Sequence, residues 1–445
     1  MEKHIEKPDV NSVILVILIA LLPLIFRFPP IPFFGKFFGH KIQLLEILFP
    51  ILVAVWFFSS VRRKTLKPVF PPGTIFFLAF VGVACISSIL SIDSGRACIE
   101  TAGFLYLYLL YFFFYNLIVD ESHVNISLRC FLVVSFVIGM IGIIGLLLYA
   151  VFGVTTFPIE IFENYLGIDL IRIRSTLYTS NYFISYMGCA LAVGIPLARY
   201  DEKRWVRILA LLVILMMAAI LLTALYRGAF VIWGVLFFGL AYFKNTRTFV
   251  FLRIAAAGLF LVFFLLFVFQ GYINISPVEV SHDTSNQRLE ASISTEPSVY
   301  ANLHRTAVHI TREHPVVGVG PGLFNEYMSR PEFGFDLSKY PWPSLDPHST
   351  YLGYSAETGV FGVLFLLLFF GSIVVHVSRV KPDTDMLGGT KRLLLVYFVL
   401  MLVYALFIDI LTLRFLYFAY ALSLSFGDHP KGGYKKRDSR VTTTG

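Results

Sequence analysis

Arg305, His309 and Arg312 recur at intervals of four and three residues, which puts them on one face of the chain if that stretch is helical. Two guanidiniums and an imidazole in a stripe are suited to phosphate oxygens, either of lipid headgroups or of a diphosphate, and the same pattern is also an ordinary solvated helix face. Arg172, Arg174, Arg227 and His348 stand, like Arg305, outside or at the borders of long apolar runs. There a charge is costly, and the simplest role of an arginine is to snorkel to the headgroups. Other constellations carry less. His304, His309 and His314 recur every five residues, about 140° apart per step on a helix, so helical geometry does not let them share one metal. Gly318, Gly320 and Gly322 follow a helical stretch rather than a strand and lack both the GxGxxG order and the Walker lysine; they read as a turn delivering Leu323 and Phe324. Asp383-Thr-Asp385 has the outline of a metal–nucleotide DxD, but its short polar connection leaves no room for a nucleotide-binding domain, and it reads as a solvated loop.

The elements that must position these residues follow from composition. The chain has 445 residues, 57% hydrophobic and 14% charged, where a soluble domain carries about 45–50% apolar and 25% charged residues. This is a membrane protein; disordered, fibrous and disulfide-scaffold classes are excluded. Cys85, Cys98, Cys130 and Cys189 lie in or beside apolar runs without ligand spacing and read as small buried hydrophobes. Runs long enough to span lie near 12–28, 43–60, 74–93, 101–119, 129–152, 180–198, 206–226, 228–243, 250–270 and 351–378. Residues 206–243 as one straight helix would be roughly 57 Å long, too long for one crossing, so a hairpin with Arg227 at its tip is expected. Residues 393–426 divide in the same way around Asp409 and Arg414. The fold class is therefore an all-α polytopic membrane protein of about twelve transmembrane helices.

With the N-terminus inside, about 23 of the 36 lysines and arginines fall in cytoplasmic segments, as the positive-inside rule requires. The net charge of +8 is thus membrane anchoring, and no nucleic acid is called for. The first apolar run follows a mixed-charge tail and ends in Arg27-Phe-Pro-Pro, so it is expected to be a span rather than a cleaved signal. Four regions result: N-terminal spans one to nine over 1–270, a large outer loop with short helices over 271–350, spans ten to twelve over 351–427, and a basic cytoplasmic tail over 428–445. In the loop, Asn302–Glu313 reads as helix, stopped by Pro315 and the glycines. This topology brings Arg174, Arg227, Arg305 and His348, far apart in sequence, to the same outer surface.

Four blocks resemble the O-antigen ligase and polymerase superfamily of bacterial envelope glycosyltransferases. His348-Ser-Thr-Tyr-Leu-Gly-Tyr-Ser-Ala-Glu-Thr-Gly359 is similar to that family's His, then Asn, Ser or Gln, nine residues, and Gly at the head of a membrane helix. Arg305 through Pro315 to Gly318-Val-Gly-Pro-Gly-Leu-Phe324 is similar to its arginine, amphipathic helix, Pro and GVGxGxF. Thr223-Ala-Leu-Tyr-Arg227-Gly228-Ala229 is similar to a T-x-S-R-G-A turn, with Tyr226 where Ser is usual. Arg174-Ser-Thr-Leu-Tyr-Thr-Ser-Asn181 is similar to an R-x-G-T-x-x-x-x-N segment, with Ser175 in place of Gly.

The resemblance implies a GT-C-like membrane enzyme in the bacterial inner membrane, with cytoplasmic termini and a periplasmic active site. It would move a glycan from an undecaprenyl diphosphate donor to lipid A–core oligosaccharide, with inversion and with neither metal nor cofactor. In a polymerase the acceptor is another carrier-linked glycan. Arg174, Arg227 and Arg305 would bind the diphosphate as its charge grows in the transition state, with Arg172, His309 and Arg312 as possible additions. His348, of a type that titrates near 6.5, would be the general base for the acceptor hydroxyl. Glu357, roughly two and a half turns deeper, is too far to orient His348 directly on a straight helix and is left as a partner for some buried polar group. The competing class is a transporter or flippase of about twelve spans, which would be expected to depend on Glu46 near the head of the second span and to carry internal repeats, which the sequence lacks.

Overall fold

The computed structural model describes residues 9–25, 43–154, 159–162, 170–223, 228–240, 247–270, 274–277, 291–294, 299–330 and 346–427. In chain order the helices are α1 (Val10–Leu21), α2 (Leu44–Arg62), α3 (Thr74–Leu90), α4 (Ser94–Leu117), α5 (Glu121–Phe152), α6 (Ser180–Tyr200), α7 (Arg204–Thr223), α8 (Ala229–Leu240), α9 (Arg247–Gln270), α10 (Val299–Glu313), α11 (Phe324–Met328), α12 (Thr350–Arg379), α13 (Asp385–Tyr404) and α14 (Arg414–Leu424). Among the described residues, α2, α4, α5, α6, α12 and α13 are long and apolar enough to cross a membrane. The shorter apolar pieces are α1, α3, α8 and residues 250–265 of α9. The protein is an all-α polytopic membrane protein. Its only described strands are two small antiparallel hairpins, β1 (Ile159–Phe162) with β2 (Leu170–Ile173) and β3 (Asn274–Pro277) with β4 (Ala291–Ser294).

The helices expected from apolar runs are present, with shifted ends. The expected long 206–243 segment is indeed two helices, α7 and α8, although residues 224–227 between them lie outside the described ones. The fourth span begins at Ser94, not 101, and the fifth at Glu121, not 129. Asp93 and Asp120 supply the reason, each accepting a backbone N–H of the first turn as an N-cap. The extra polar residues also have partners: His123 lies between Asp120 at 2.7 Å and Asp9 at 3.2 Å, and Arg129 grips Asp201 through Nε at 3.1 Å and Nη2 at 3.2 Å.

α6 is the central element. It is buried nearly all round, from Phe183 to Leu197, and packs against α5, α7, α8 and α13. Lipid tails provide no hydrophobic drive between helices, so close packing of small residues matters here. Tyr397 of α13 lies over Gly188 of α6 and donates to the Ser185 carbonyl at 2.9 Å. α2, α7 and α9 direct residues such as Phe58, Leu215 and Phe251 outward. α10 is amphipathic and lies on α12. Its Leu303, Ala307 and Ile310 share a second, smaller core with Val319, Phe324, Met328 and Ala356.

Candidate active site

His348 directly precedes the N-cap of α12. Its φ is 48°, in the left-handed region that bulky residues rarely occupy, and it is half-buried. The residues after it fix that end of the helix. Ser349 accepts the Leu352 N–H at 3.3 Å. The Thr350 N–H donates to the carbonyls of Ala405 (2.9 Å) and Ile408 (3.2 Å). Its hydroxyl also donates to Ile408, at 2.8 Å, and accepts the Ile410 N–H at 2.9 Å. The head of α12 is thus bolted to the turn between α13 and α14. On the other side the His348 ring meets Tyr300 of α10 edge-on, centroids 5.1 Å apart.

The glycine-rich stretch does more than turn the chain. α12 is broken at Gly359, with φ 70° and ψ −174°, which releases backbone groups from the helical ladder. Residues 315–320 fill the gap: Val319 N–H donates to Ala356 O (3.0 Å), Gly320 N–H to Glu357 O (2.9 Å), and Val360 N–H to Pro315 O (2.9 Å). The Ser87 hydroxyl of α3 adds a bond to Glu357 O at 2.8 Å. A Cβ on Gly318 would lie 2.3 Å from the Glu357 carbonyl carbon, so only glycine lets the strap approach. The Glu357 carboxylate lies by the backbone N–H groups of Gly322 and Phe324, on the strap.

Arg305, His309 and Arg312 do share one exposed face of α10, with His309 3.5 Å from Glu313. Arg172 and Arg174 lie on and just beyond β2, in alternation with the buried Ile173, and both have a buried Nε. The Arg174 Nε has no hydrogen-bond partner among the described residues. The turn that carries Arg174 is pinned: Ser175, φ 53°, donates to Ile138 O at 2.6 Å, and Thr176 donates to Pro23 O at 2.7 Å. The unusual serine therefore occupies a left-handed position, where glycine is the easier residue. Arg227 lies outside the described residues. Its neighbour Gly228 is tight against Tyr404, whose hydroxyl donates to Asn181 Oδ1 at 3.0 Å.

Tyr354, Tyr182 and Thr412 at this end were not singled out from the sequence, and Asp409 and Arg414 were read only as the point where two spans divide. Tyr354 of α12 donates to Asp409 Oδ2 at 3.2 Å, Leu411 N–H donates to Oδ1 at 2.9 Å, and Tyr182 meets Thr412 at 2.7 Å. Burial, with the Asp346 carboxylate adding to it, pushes the Asp409 carboxyl up to about 6. Arg414 is bound to Gln43 and, at 2.5 Å, to Glu46. Glu46 is thus half of an ion pair joining α2 to α14, and sensitivity at Glu46 does not distinguish a transporter from an enzyme. Asp383 and Asp385 are exposed, with Thr384 between them capping α13. Among the described residues no group of three His, Cys, Asp or Glu is disposed to hold a metal.

One end of the helix bundle therefore gathers the Arg174 turn, Gly228, the 404–414 turn, α10 with its strap, and His348. Residues 209–367, about a third of the chain and including three of these parts, match the family model described as O-antigen ligase (Wzy_C). A comparison with curated proteins gives no match.

Proposed function

We propose, from the match of residues 209–367 to the O-antigen ligase family model, that the chain is a member of the O-antigen ligase and polymerase superfamily and transfers a glycan from undecaprenyl diphosphate to lipid A–core oligosaccharide. The observation that carries this reading is the joining of His348 to α10, the helix that bears Arg305, through the Tyr300 ring contact. On this reading a base at His348 and a phosphate-binding cation at Arg305 act from neighbouring elements in contact. The reaction would take place at the periplasmic face of a bacterial inner membrane, with both termini cytoplasmic.

His348 takes the proton from the acceptor hydroxyl as it attacks the anomeric carbon on the side opposite the diphosphate, which inverts that centre. The C–O bond to the diphosphate breaks and its electron pair goes to the leaving phosphate oxygen. Arg305, Arg174 and Arg227 neutralise the charge that grows there, with Arg172, His309 and Arg312 as further cations near the same surface. An Arg174 Nε buried without a hydrogen-bond partner among the described residues supports this role, because an anionic ligand can supply an acceptor there.

The test uses purified protein with undecaprenyl-diphosphate glycan, lipid A–core acceptor and EDTA, comparing the parent with His348→Ala. Metal-free transfer to the core by the parent, lost by on the order of 10²–10⁴-fold in a folded variant, is the expected result. Elongated carrier-linked glycan would identify a polymerase. A folded parent that transfers nothing overturns the reading. In a chemistry-limited assay the rate should also fall as pH drops through the histidine pKa, since the base must be neutral; a flat acidic limb removes His348 from that role.

A further inference from the structure

Tyr300 lies in the first turn of α10, on the side that carries Leu303, Ala307 and Ile310 and opposite the exposed Arg305, His309 and Arg312. That side is fastened to α12. Leu303, Ala307 and Ile310 share a core with Ala356 and Leu352, the hydroxyls of Thr311 and Ser355 are 2.9 Å apart, and the strap after α10 completes the break at Gly359. Tyr300 is the first member of this fixed stripe. Its half-buried ring meets the half-buried imidazole of His348, centroids 5.1 Å apart and planes inclined at 64°. Inclined ring contacts of this kind are attractive and directional.

The backbone at His348 is set from the other side. The Ser349 cap and the bonds of Thr350 to Ala405 and Ile408 fix the chain that follows it, and its φ is 48°. A fixed backbone does not choose among the staggered χ1 positions of a histidine, nor the rotation of its ring about χ2. That choice matters, because a general base works only within about 2.6–3.2 Å of the proton it takes. We propose that Tyr300 is a positioning residue, whose ring holds the His348 imidazole in the one orientation that meets the acceptor hydroxyl. The inference rests on the reading of His348 as the base. Tyr300 does not touch the reacting atoms; it acts through the ring that does. Its loss affects the chemical step and leaves donor and acceptor binding alone, since misplacement of a reacting group by about 1 Å costs up to about 10²-fold in rate.

The experiment compares Tyr300→Leu, which keeps apolar bulk against α12 and removes the ring, with Tyr300→Phe, which keeps the ring. Transfer by the full-length protein in detergent is measured with the substrates above, together with thermal unfolding, and Tyr300→Leu is also made in the His348→Ala background. Expected for Tyr300→Leu is a fall in kcat of roughly 10- to 100-fold, KM within about twofold of the parent, and an unchanged melting temperature. Tyr300→Phe should keep kcat within about threefold, since the ring contact remains. In the His348→Ala background Tyr300→Leu should change the residual rate by less than about twofold, because a residue that acts through the imidazole then has nothing to act on. A parental kcat in Tyr300→Leu, an equal loss in Tyr300→Phe, a loss that tracks a lowered melting temperature, or the full loss repeated in the His348→Ala background would each overturn the proposal. If the parent transfers nothing, or His348→Ala keeps its activity, it is the reading of the base that fails. Loss in His348→Ala with full activity in Tyr300→Leu removes only the positioning role.

Discussion

A side chain held at positive φ costs roughly 1–2 kcal/mol that glycine does not, and Ser175 and His348 both carry that cost. At Ser175 the hydroxyl bond to Ile138 O, made in a fully buried setting, offsets it. Ser175→Ala keeps the strain and loses the bond, so a destabilisation of about 1–2 kcal/mol is expected. Ser175→Gly should cost less, since relief of strain compensates the lost bond. Denaturant unfolding of the two variants checks this, and equal losses would mean that φ is not the issue. Asp409 gives a pH signature. Its folded-state pKa of about 6 exceeds the value near 3.9 of an unfolded chain, so between those values the folded protein binds more protons. Stability should therefore fall as pH rises from about 4 to about 6 and then level off. Asp409→Asn should flatten that slope; melting curves across the interval with an unchanged slope would refute the assignment. Neither feature was readable from sequence, because conformation at 175 and burial at 409 are both set by distant elements. The Ser-for-Gly departure at 175 was visible, and only the structure gave it a physical meaning.

At the scale of elements, the most informative unit is α12 with the strap from 315 to 320. Both parts are visible in the sequence as separate motifs, a histidine block ending in Gly359 and a glycine run after Pro315. That they are two halves of one hydrogen-bonded junction is a tertiary fact. Gly318→Ala would drive a methyl into the Glu357 backbone at a left-handed position, and a loss of at least about 3 kcal/mol is expected, as for severe overpacking plus backbone strain. Faster proteolysis in segment 299–330, together with lost transfer, is the readout; normal protection in that segment would contradict the geometry. Charged residues at helix ends show the same limit of legibility. Glu46 stood out as an isolated intramembrane acid, whereas its partner Arg414 lies 368 positions away in the chain.

For the whole molecule, the apolar helices among the described residues, six of them long enough to cross a membrane, were legible because lipid demands runs of a fixed length. Their true beginnings were not, because α4 and α5 continue into polar sequence that is capped and paired. Arg129 with Asp201 is one such pairing, tying α5 to the turn after α6. Asp201 is 3% exposed, so Arg129→Ala strands a buried carboxylate. The expected cost is about 3 kcal/mol, at the lower end for a broken buried pair, because the Lys203 N–H still donates to Asp201 at 2.8 Å. Arg129→Met with Asp201→Leu should recover much of it, and a double variant no better than the single one would argue against an ionic origin. The broken helix has a larger consequence. Because backbone groups of α12 near Gly359 are completed by residues 315–320 and not by their own helix, neither segment is a self-sufficient part. In a chimaera, swapping the external loop alone, or the membrane helix alone, leaves amides and carbonyls of this junction with a mismatched complement, at about 1–3 kcal/mol for each buried group left bare. The interchangeable cassette therefore runs from α10 through the head of α12, and the loop can be traded only together with the helix that it completes.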